Sequence, residues 1–247
     1  MYSEYLAELH IHTVLSPCGH LLMTPANILE KAIQAGIEML AITDHNSGQN
    51  IQVLSKLAEK RGIHVFPGME VETREEVHLI ALFDQLNQMM SLQELVYDHL
   101  PPLQNDEERF GPQLLTDESD NFIDRVTRLL AVSTDLCVER VVETVEDLGG
   151  LVYPAHVDRQ RNSILTQLGF LPPDIDFTAI EVSNRYLQNN EENPLLEGYP
   201  LLSAADVHHL EDLRGSMIFK IKEPTIDELK KAIRKEEGRS YYHNYGG

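Results

Sequence analysis

At 247 residues and 42% hydrophobic content, the chain can bury a full core, either as one large α/β domain or as a domain with an insertion, and it is neither disordered nor repetitive. Its 20 Lys and Arg against 40 Asp and Glu leave a formal net charge of −20, a surface that repels polyanions and argues against broad binding to nucleic-acid backbones or anionic lipid. A small anionic substrate remains compatible where bound cations dominate the local field.

The start, Met1 to Tyr5, has neither the basic residues nor the apolar run of a signal peptide, and no later stretch reaches membrane-spanning length. A soluble, cytoplasmic protein is expected, in which Cys18 and Cys137 have no need to pair.

Leu6 to Ile11 reads as the first strand. It runs into His10-Ile11-His12, where the period of two puts both imidazoles on one face, within reach of a single metal ion, with Leu9 and Ile11 turned to packing. The loop Thr13 to His20 follows. A helix then begins at Thr24-Pro25, carries an apolar stripe of Ile28, Leu29, Ala32 and Ile33, and ends at Gly36. Ile37 to Thr43 is a second strand ending at Asp44-His45-Asn46, and Ile51 to Arg61 a second helix. Ile63 to Phe66 is a third strand leading to Glu70, and Val77 to Phe83 a fourth with His78 near its start. Strand, helix, strand, helix, strand is the pattern of a parallel sheet or barrel.

Between Gln85 and Asp135 the regularity lapses into a helical piece near Leu92 to Leu100, an acidic stretch from Asn105, and a turn at Asp117 to Asn121 between two short runs. Too few apolar residues for a separate core make 85–135 an insertion or elaborated connection, a surface excursion or a cover for the substrate. Alternation resumes with a helix from Cys137 to Leu148, capped by Asp135, and the strand Leu151 to Ala155, which delivers His156. A short helix at Ile164 to Leu168 and the strands Ala179 to Val182 and Leu201 to Ala204 come next, the last delivering Asp206 and His208. Met217 to Ile221 is read as the final strand, before a helix opened by a capping box of Thr225 and Glu228.

His10, His12, His45, Glu70, His78, His156, Asp206 and His208 thus stand at or near strand ends drawn from distant segments, which a barrel brings to one rim. Imidazole and carboxylate are ligands for zinc, manganese and iron, and this set exceeds the needs of one ion, so two or three divalent ions are expected. Without metal, burying so many polar groups would leave them unsatisfied.

The runs His10-Ile11-His12-Thr13, Thr43-Asp44-His45-Asn46, Gly68-Met69-Glu70, Ala155-His156 and Asp206-Val207-His208 resemble, in order and spacing, the motifs of the PHP (polymerase and histidinol phosphatase) family of metal-dependent phosphoesterases. The resemblance covers nearly the whole chain. It implies a single domain over 1–247 folded as a distorted (β/α)7 TIM-like barrel, with a catalytic set of His10, His12, Glu70 and Asp206 holding one ion. By the same analogy Glu70, His78 and His156 hold a second ion, and His45 and His208 a third. The loop after His-x-His usually supplies Asp or His to the third ion; here the matching position is Cys18, with His20 two residues on, and either can serve. Glu8, commonly Asp in the family, is expected to orient an imidazole, with Asp44 and His209 also supporting ligands.

Paired ions lower the pKa of a bridging water, so that hydroxide is available near neutral pH, and clamp phosphoryl oxygens. Arg159, Arg161 and Arg185 follow strands bearing rim residues and are candidates for the remaining phosphate oxygens. The expected function is hydrolysis of a phosphomonoester or phosphodiester in a small metabolite or nucleotide. Histidinol-phosphate phosphatase is the alternative enzyme, and a metal-bound regulatory module without turnover the alternative from another class. No long nucleic acid and no membrane are expected as partners.

Overall fold

The computed structural model describes residues 1–244. The elements in chain order are β1 (Ser3–Ile11), α1 (Pro25–Ala35), β2 (Met39–Ile42), α2 (Ile51–Glu59), β3 (His64–Glu72), β4 (His78–Leu82), α3 (Leu86–His99), α4 (Glu107–Phe110), β5 (Leu114–Thr116) and β6 (Phe122–Arg125). The chain continues through α5 (Val138–Asp147), β7 (Leu151–Pro154), α6 (Ile164–Leu168), β8 (Ile180–Ser183), α7 (Asn184–Gln188), β9 (Leu201–Ala204), β10 (Met217–Ile221), α8 (Ile226–Ile233) and β11 (Ser240–His243). No helix is long and apolar enough to cross a membrane.

A seven-stranded sheet in the order β11-β10-β1-β2-β3-β4-β7 curls into a half-barrel, and a parallel pair, β8-β9, stands apart from it. β1, β2 and β3 are parallel, as the alternation requires, but β4 runs antiparallel to both β3 and β7, and β10 antiparallel to β1. The reason is connection length: a parallel pairing needs a crossover of a dozen or more residues, and only residues 73–77 separate β3 from β4. The β8-β9 pair is tied to the sheet by Val157 N–H donating to the Glu181 carbonyl (2.8 Å) and by a parallel bridge at Val207, whose N–H donates to His10 O and whose carbonyl accepts from His12 N–H (both 3.0 Å). The result is an α/β fold built on a curled half-barrel sheet, with β8 in contact with β7 and β9 with β1.

The helices α1, α2, α3 and α5 bury Ile28, Leu54, Leu92 and Val141 in one core cluster, while α8 closes a second with Ala7, Leu9, Met39, Phe66 and Phe219. Leu9 and Ile11 fall into different clusters, because the β1-β2 register shifts between Glu8 and Ile11.

Several helix ends differ from the sequence reading. Thr24 is the N-cap residue of α1, but its side chain makes no capping bond; Asp120, from the turn between β5 and β6, accepts from Thr24 Oγ1 (2.6 Å) and Ala26 N–H (3.0 Å). Asp135 does not cap α5, which starts after Cys137, and Glu75 supplies the missing acceptor to Val138 N–H (3.1 Å). The α8 box is half formed: Thr225 accepts from Glu228 N–H, while the Glu228 carboxylate turns away to a buried pair with Arg239. Arg239 precedes β11, the edge strand that the sequence reading does not include, and this pair fastens it to α8.

Residues 85–135 divide in two. α3 belongs to the main core through Met89, Leu92 and Val96, whereas the remainder packs Leu100 and Leu130 on Leu15, in the loop after β1. Leu114 N–H donates to Val14 O (2.9 Å), and Asn50 Nδ2 bridges Thr13 Oγ1 and Leu114 O, both at 3.0 Å. This segment braces the loop that contains Cys18.

Gly68, between β2 and β4, has no room for a methyl group. A Cβ there would stand 2.8 Å from Leu82 Cδ2 and 2.9 Å from the backbone oxygens of Ala81 and Ile42. Gly68→Ala is therefore expected to cost about 1–3 kcal/mol through overpacking against backbone that cannot yield. Urea denaturation measures it, and an unchanged midpoint would show that β3 has slack at this position.

Candidate metal centre

The six histidines and two acids singled out from the sequence converge at one end of the half-barrel. His10 comes from β1 and His12 directly follows it, Glu70 comes from β3, and His78 from the start of β4, which the antiparallel turn brings to the same end as the carboxyl ends of the parallel strands. His45, His156, Asp206 and His208 follow β2, β7 and β9. His156 (φ 32°) and Asp206 (φ 50°) occupy the left-handed region, an uncommon conformation for such residues that costs on the order of 1–3 kcal/mol and persists where surrounding contacts enforce it. Here it turns both side chains into the cluster.

Glu70 lies at the centre, 1% exposed. Its Oε1 is 2.7 Å from His78 Nδ1, 3.2 Å from His156 Nε2 and 3.4 Å from His10 Nε2, and its Oε2 is 2.9 Å from His45 Nδ1 and 3.4 Å from His12 Nε2. Asp206 Oδ1 is 3.2 Å from His10 Nε2 and 3.1 Å from His12 Nε2, and those two nitrogens are 3.1 Å apart.

The outer partners fix which of these nitrogens carry protons. His10 Nδ1 lies 2.9 Å from Glu181 Oε1, an acceptor, so Nδ1–H donates there and the Nε2 of neutral His10 presents a lone pair. Ser16 Oγ donates to Asp44 Oδ1 (2.6 Å) and accepts from His45 N–H, so its contact with His12 Nδ1 (3.0 Å) is a donation from the ring, and His12 Nε2 is also a lone pair. In their neutral forms the two imidazoles therefore turn lone pairs towards each other and towards Asp206 Oδ1 at 3.1–3.2 Å, while Glu70 Oε1 accepts from His78 Nδ1–H at 2.7 Å. Glu70 Oε2, Asp206 Oδ1 and His45 Nδ1 are buried without hydrogen-bond partners among the described residues. The edge of a tetrahedron around zinc, with ligand bonds of about 2.0–2.1 Å, is about 3.3–3.4 Å, so the spacing suits donors around a cation. The residues present fit a metal. His10, His12 and Glu70 can hold one ion, His45, Glu70 and His78 another, and His12, Cys18, His45 and His208 a third.

Electrostatics point the same way. Burial disfavours ionised Glu70, yet His78, His10 and His45 outweigh it and hold the carboxyl well below its usual range; Asp206 is likewise held low by His10 and His12. Burial opposes charging of His10, but Glu181, Asp206 and Glu70 raise its pKa well above the ordinary value, whereas burial and the nearby His208 hold His12 low. For Cys18 the upward push of burial is overcome by His45 and His208, which bring the thiol down to about 6, and His208 rises to about 9 against burial through Cys18 and Asp206. The cluster stabilises positive charge, for which proton and metal compete.

The expected supporting residues are partly reassigned. Asp44 touches no ligand atom directly; it accepts from Thr13 N–H and Oγ1 (both 2.7 Å) and from Ser16, setting the loop that orients His12. Glu8 orients no imidazole. It accepts from Ser216 Oγ (2.6 Å) and Ala205 N–H (3.3 Å), and burial pushes its pKa up to about 8. The orienting carboxylate is Glu181, absent from the sequence reading although an acid inside the apolar strand Ala179 to Val182 was its visible signal; it also accepts from His156 N–H (3.1 Å). His20 and His209 pair with each other at a ring distance of 5.1 Å, and His20 Nδ1 accepts from Leu22 N–H, outside the three ligand groups.

The cluster opens into a groove of about 1160 Å³ lined by Arg159, Arg161, Arg185 and Arg214, the last of which the sequence reading omits. Arg159 is engaged with Asp206 Oδ2. Among the described residues, the guanidinium groups of Arg161 and Arg185 have no acidic partner within ion-pair distance, in a chain with 40 acidic residues.

With the geometry in hand, comparison with known proteins places the chain. Over 85 residues it is 39% identical to an uncharacterized protein of Methanocaldococcus jannaschii, covering 31% of this chain and 49% of that one. Over 82 residues it is 32% identical to the phosphoribosyl 1,2-cyclic phosphate 1,2-diphosphodiesterase of Eggerthella lenta, covering 31% and 30%. The matches thus span half or less of these curated relatives. In fold, the chain is similar to the lesion-specific endonuclease Q of Pyrococcus furiosus, with TM-score 0.70 and 20% identity over 97% of this chain and 58% of that one. The family model of the PHP domain matches residues 8–145. Since that match takes in more than half of the chain, including the strands and loops that carry His10, His12, His45, Glu70 and His78, the chain belongs to the PHP domain family.

Proposed function

We propose that the protein is a metal-dependent phosphoesterase that hydrolyses a small phosphorylated metabolite or nucleotide. The observation that carries this reading is the face-to-face arrangement of His10 Nε2, His12 Nε2 and Asp206 Oδ1 around Glu70, a set of donors that a bound metal ion satisfies together. On this reading His10, His12, Glu70 and Asp206 hold one divalent ion, and Glu70, His78 and His156 a second. Such ions supply activated water near neutral pH and positive charge opposite phosphoryl oxygens. Glu181 and Ser16 hold the two β1 imidazoles in the ligating tautomer, and Asp44 holds Ser16. Arg161 and Arg185 offer planar donors to phosphate oxygens in the groove, while Arg159 orients Asp206. Residues 85–135 are read as an elaborated connection within one domain, supported by their packing on the loop after β1.

Activity on a phosphomonoester or diester is also supported by the relative from Eggerthella lenta, named for a cyclic phosphate diester. A second reading, a nucleic-acid phosphodiester, is favoured by the likeness to endonuclease Q, which has been solved with a 27-mer duplex bearing an abasic lesion at its active site. The net charge of −20 weighs against it, because long-range repulsion of a polyanion falls on the whole surface while the arginines line only the groove.

Phosphate release should be measured with manganese or zinc on nucleoside monophosphates, nucleoside bisphosphates, histidinol phosphate, a cyclic phosphate, an aryl phosphodiester and a lesion-bearing duplex. Turnover of a small ester, abolished in His12→Ala, is expected; cleavage of the duplex alone would transfer the assignment to the second reading. Glu181→Gln should weaken metal affinity or activity by about 10–100-fold, the range for an outer partner of a metal-bound histidine, and titration calorimetry gives the affinity. Arg161→Met should raise KM with little change in kcat, since its guanidinium contacts substrate rather than the ligands; an unchanged KM would remove it from the substrate site.

A further inference from the structure

The third ligand group differs in chemistry from the other two. Cys18, exposed at the groove, brings its Sγ to 3.1 Å from His208 Nε2 and also stands against His45. His208 Nδ1 lies 2.8 Å from the Asp206 carbonyl, which can only accept, so Nδ1 carries a proton and Nε2 is the nitrogen directed at the sulfur, free to bind a metal once its own proton is displaced. His45 is 8% exposed; its Nδ1 faces Glu70 Oε2 at 2.9 Å, and its ring also joins the group of Cys18 and His208. His12, the fourth member of this group, is already committed, with Nε2 at 3.1 Å from both His10 Nε2 and Asp206 Oδ1.

The sulfur is held in place by backbone. His20 N–H donates to His208 O (3.0 Å), joining the two loops that carry Cys18 and His208. On one side of Cys18, a Cβ at Gly19 would lie 2.4 Å from Thr13 O; on the other, a Cβ at Gly111 would lie 2.3 Å from Pro17 O. The loop thus turns tightly on itself at Gly19 and packs closely against Gly111 at Pro17.

We propose that Cys18 Sγ is a metal ligand, forming with His45 and His208 a sulfur-containing site that takes a thiophilic divalent ion such as zinc and is left unfilled by manganese. Thiolate selects zinc over manganese, and manganese stands lowest in divalent affinity, whereas the carboxylate-rich groups around Glu70 accept either ion. Three protein ligands at the edge of the groove leave a coordination position open towards substrate. The inference rests on the metal-dependent reading of the site, and its test separates the two.

Metal-free protein is loaded with manganese, zinc or cobalt and desalted, and bound ions are counted by elemental analysis. Zinc-loaded protein is expected to carry one ion per chain more than manganese-loaded protein, and the cobalt form to show a thiolate-to-cobalt charge-transfer band. The band should vanish in Cys18→Ser and persist in Cys137→Ser, and Cys18→Asp should raise the manganese count by one. Independently of any variant, zinc should slow alkylation of Cys18 in the wild-type chain, and manganese should not. Equal zinc and manganese counts in the wild type, with no band, would overturn the proposal and leave the phosphoesterase reading standing; no bound ion of either kind would overturn both.

Discussion

Everything at this end of the molecule follows from one constraint: lone pairs that point at one another must have a cation between them. The Nε2 atoms of His10 and His12 are 3.1 Å apart, each with its Nδ1 proton already donated outward, and two carboxylates converge on the same space. In a buried setting such an arrangement is repulsive at short range and costly in desolvation, and it is retained only where positive charge is supplied. The folded chain is thereby suited to hold metal ions, for which protons on the histidines compete.

The rest of the architecture enforces that convergence. Ser16 spends its single proton on Asp44, leaving both of its acceptor sites to His12 and the His45 amide, so one hydroxyl settles the tautomer of one ligand and the position of the next. The left-handed conformations of His156 and Asp206 are local costs offset by contacts from several strands. The segment from Leu100 to Val132, which looks peripheral, packs on Leu15 and fixes the loop that carries Ser16 and Cys18. Support and chemistry therefore share the same few residues, which is why Gly19, Gly68 and Gly111 sit where backbone passes too close for a side chain.

Much of this was legible in the sequence. Metal ligands are polar residues at ends of apolar strands, a contrast that the alternation of strand and helix exposes, so His10, His12, His45, Glu70, His78, His156, Asp206 and His208 could be singled out and do come together. Cap acceptors were harder. Asp120 and Glu75 cap helices remote in sequence, and a capping bond made across the fold leaves no local spacing to read. Strand β11 escapes a sequence reading because Ser-Tyr-Tyr-His has little alternation and takes its place through its ladder with β10 and the Glu228–Arg239 pair beside it.

By itself the sequence determined the donor types, their order along the chain and the parallel start of the sheet, because these depend on residue identity and short-range periodicity. Only the tertiary structure decided which carboxylate orients which imidazole. Glu8 and Glu181 are both acids within strands, and what distinguishes them is the partner each meets across the fold, Ser216 for one and His10 for the other. The same holds for the antiparallel turn that brings His78 to the cluster, and for the seat of Cys18 against His45 and His208. Direction, register and approach between distant segments are set by packing of the whole core, which no local pattern encodes.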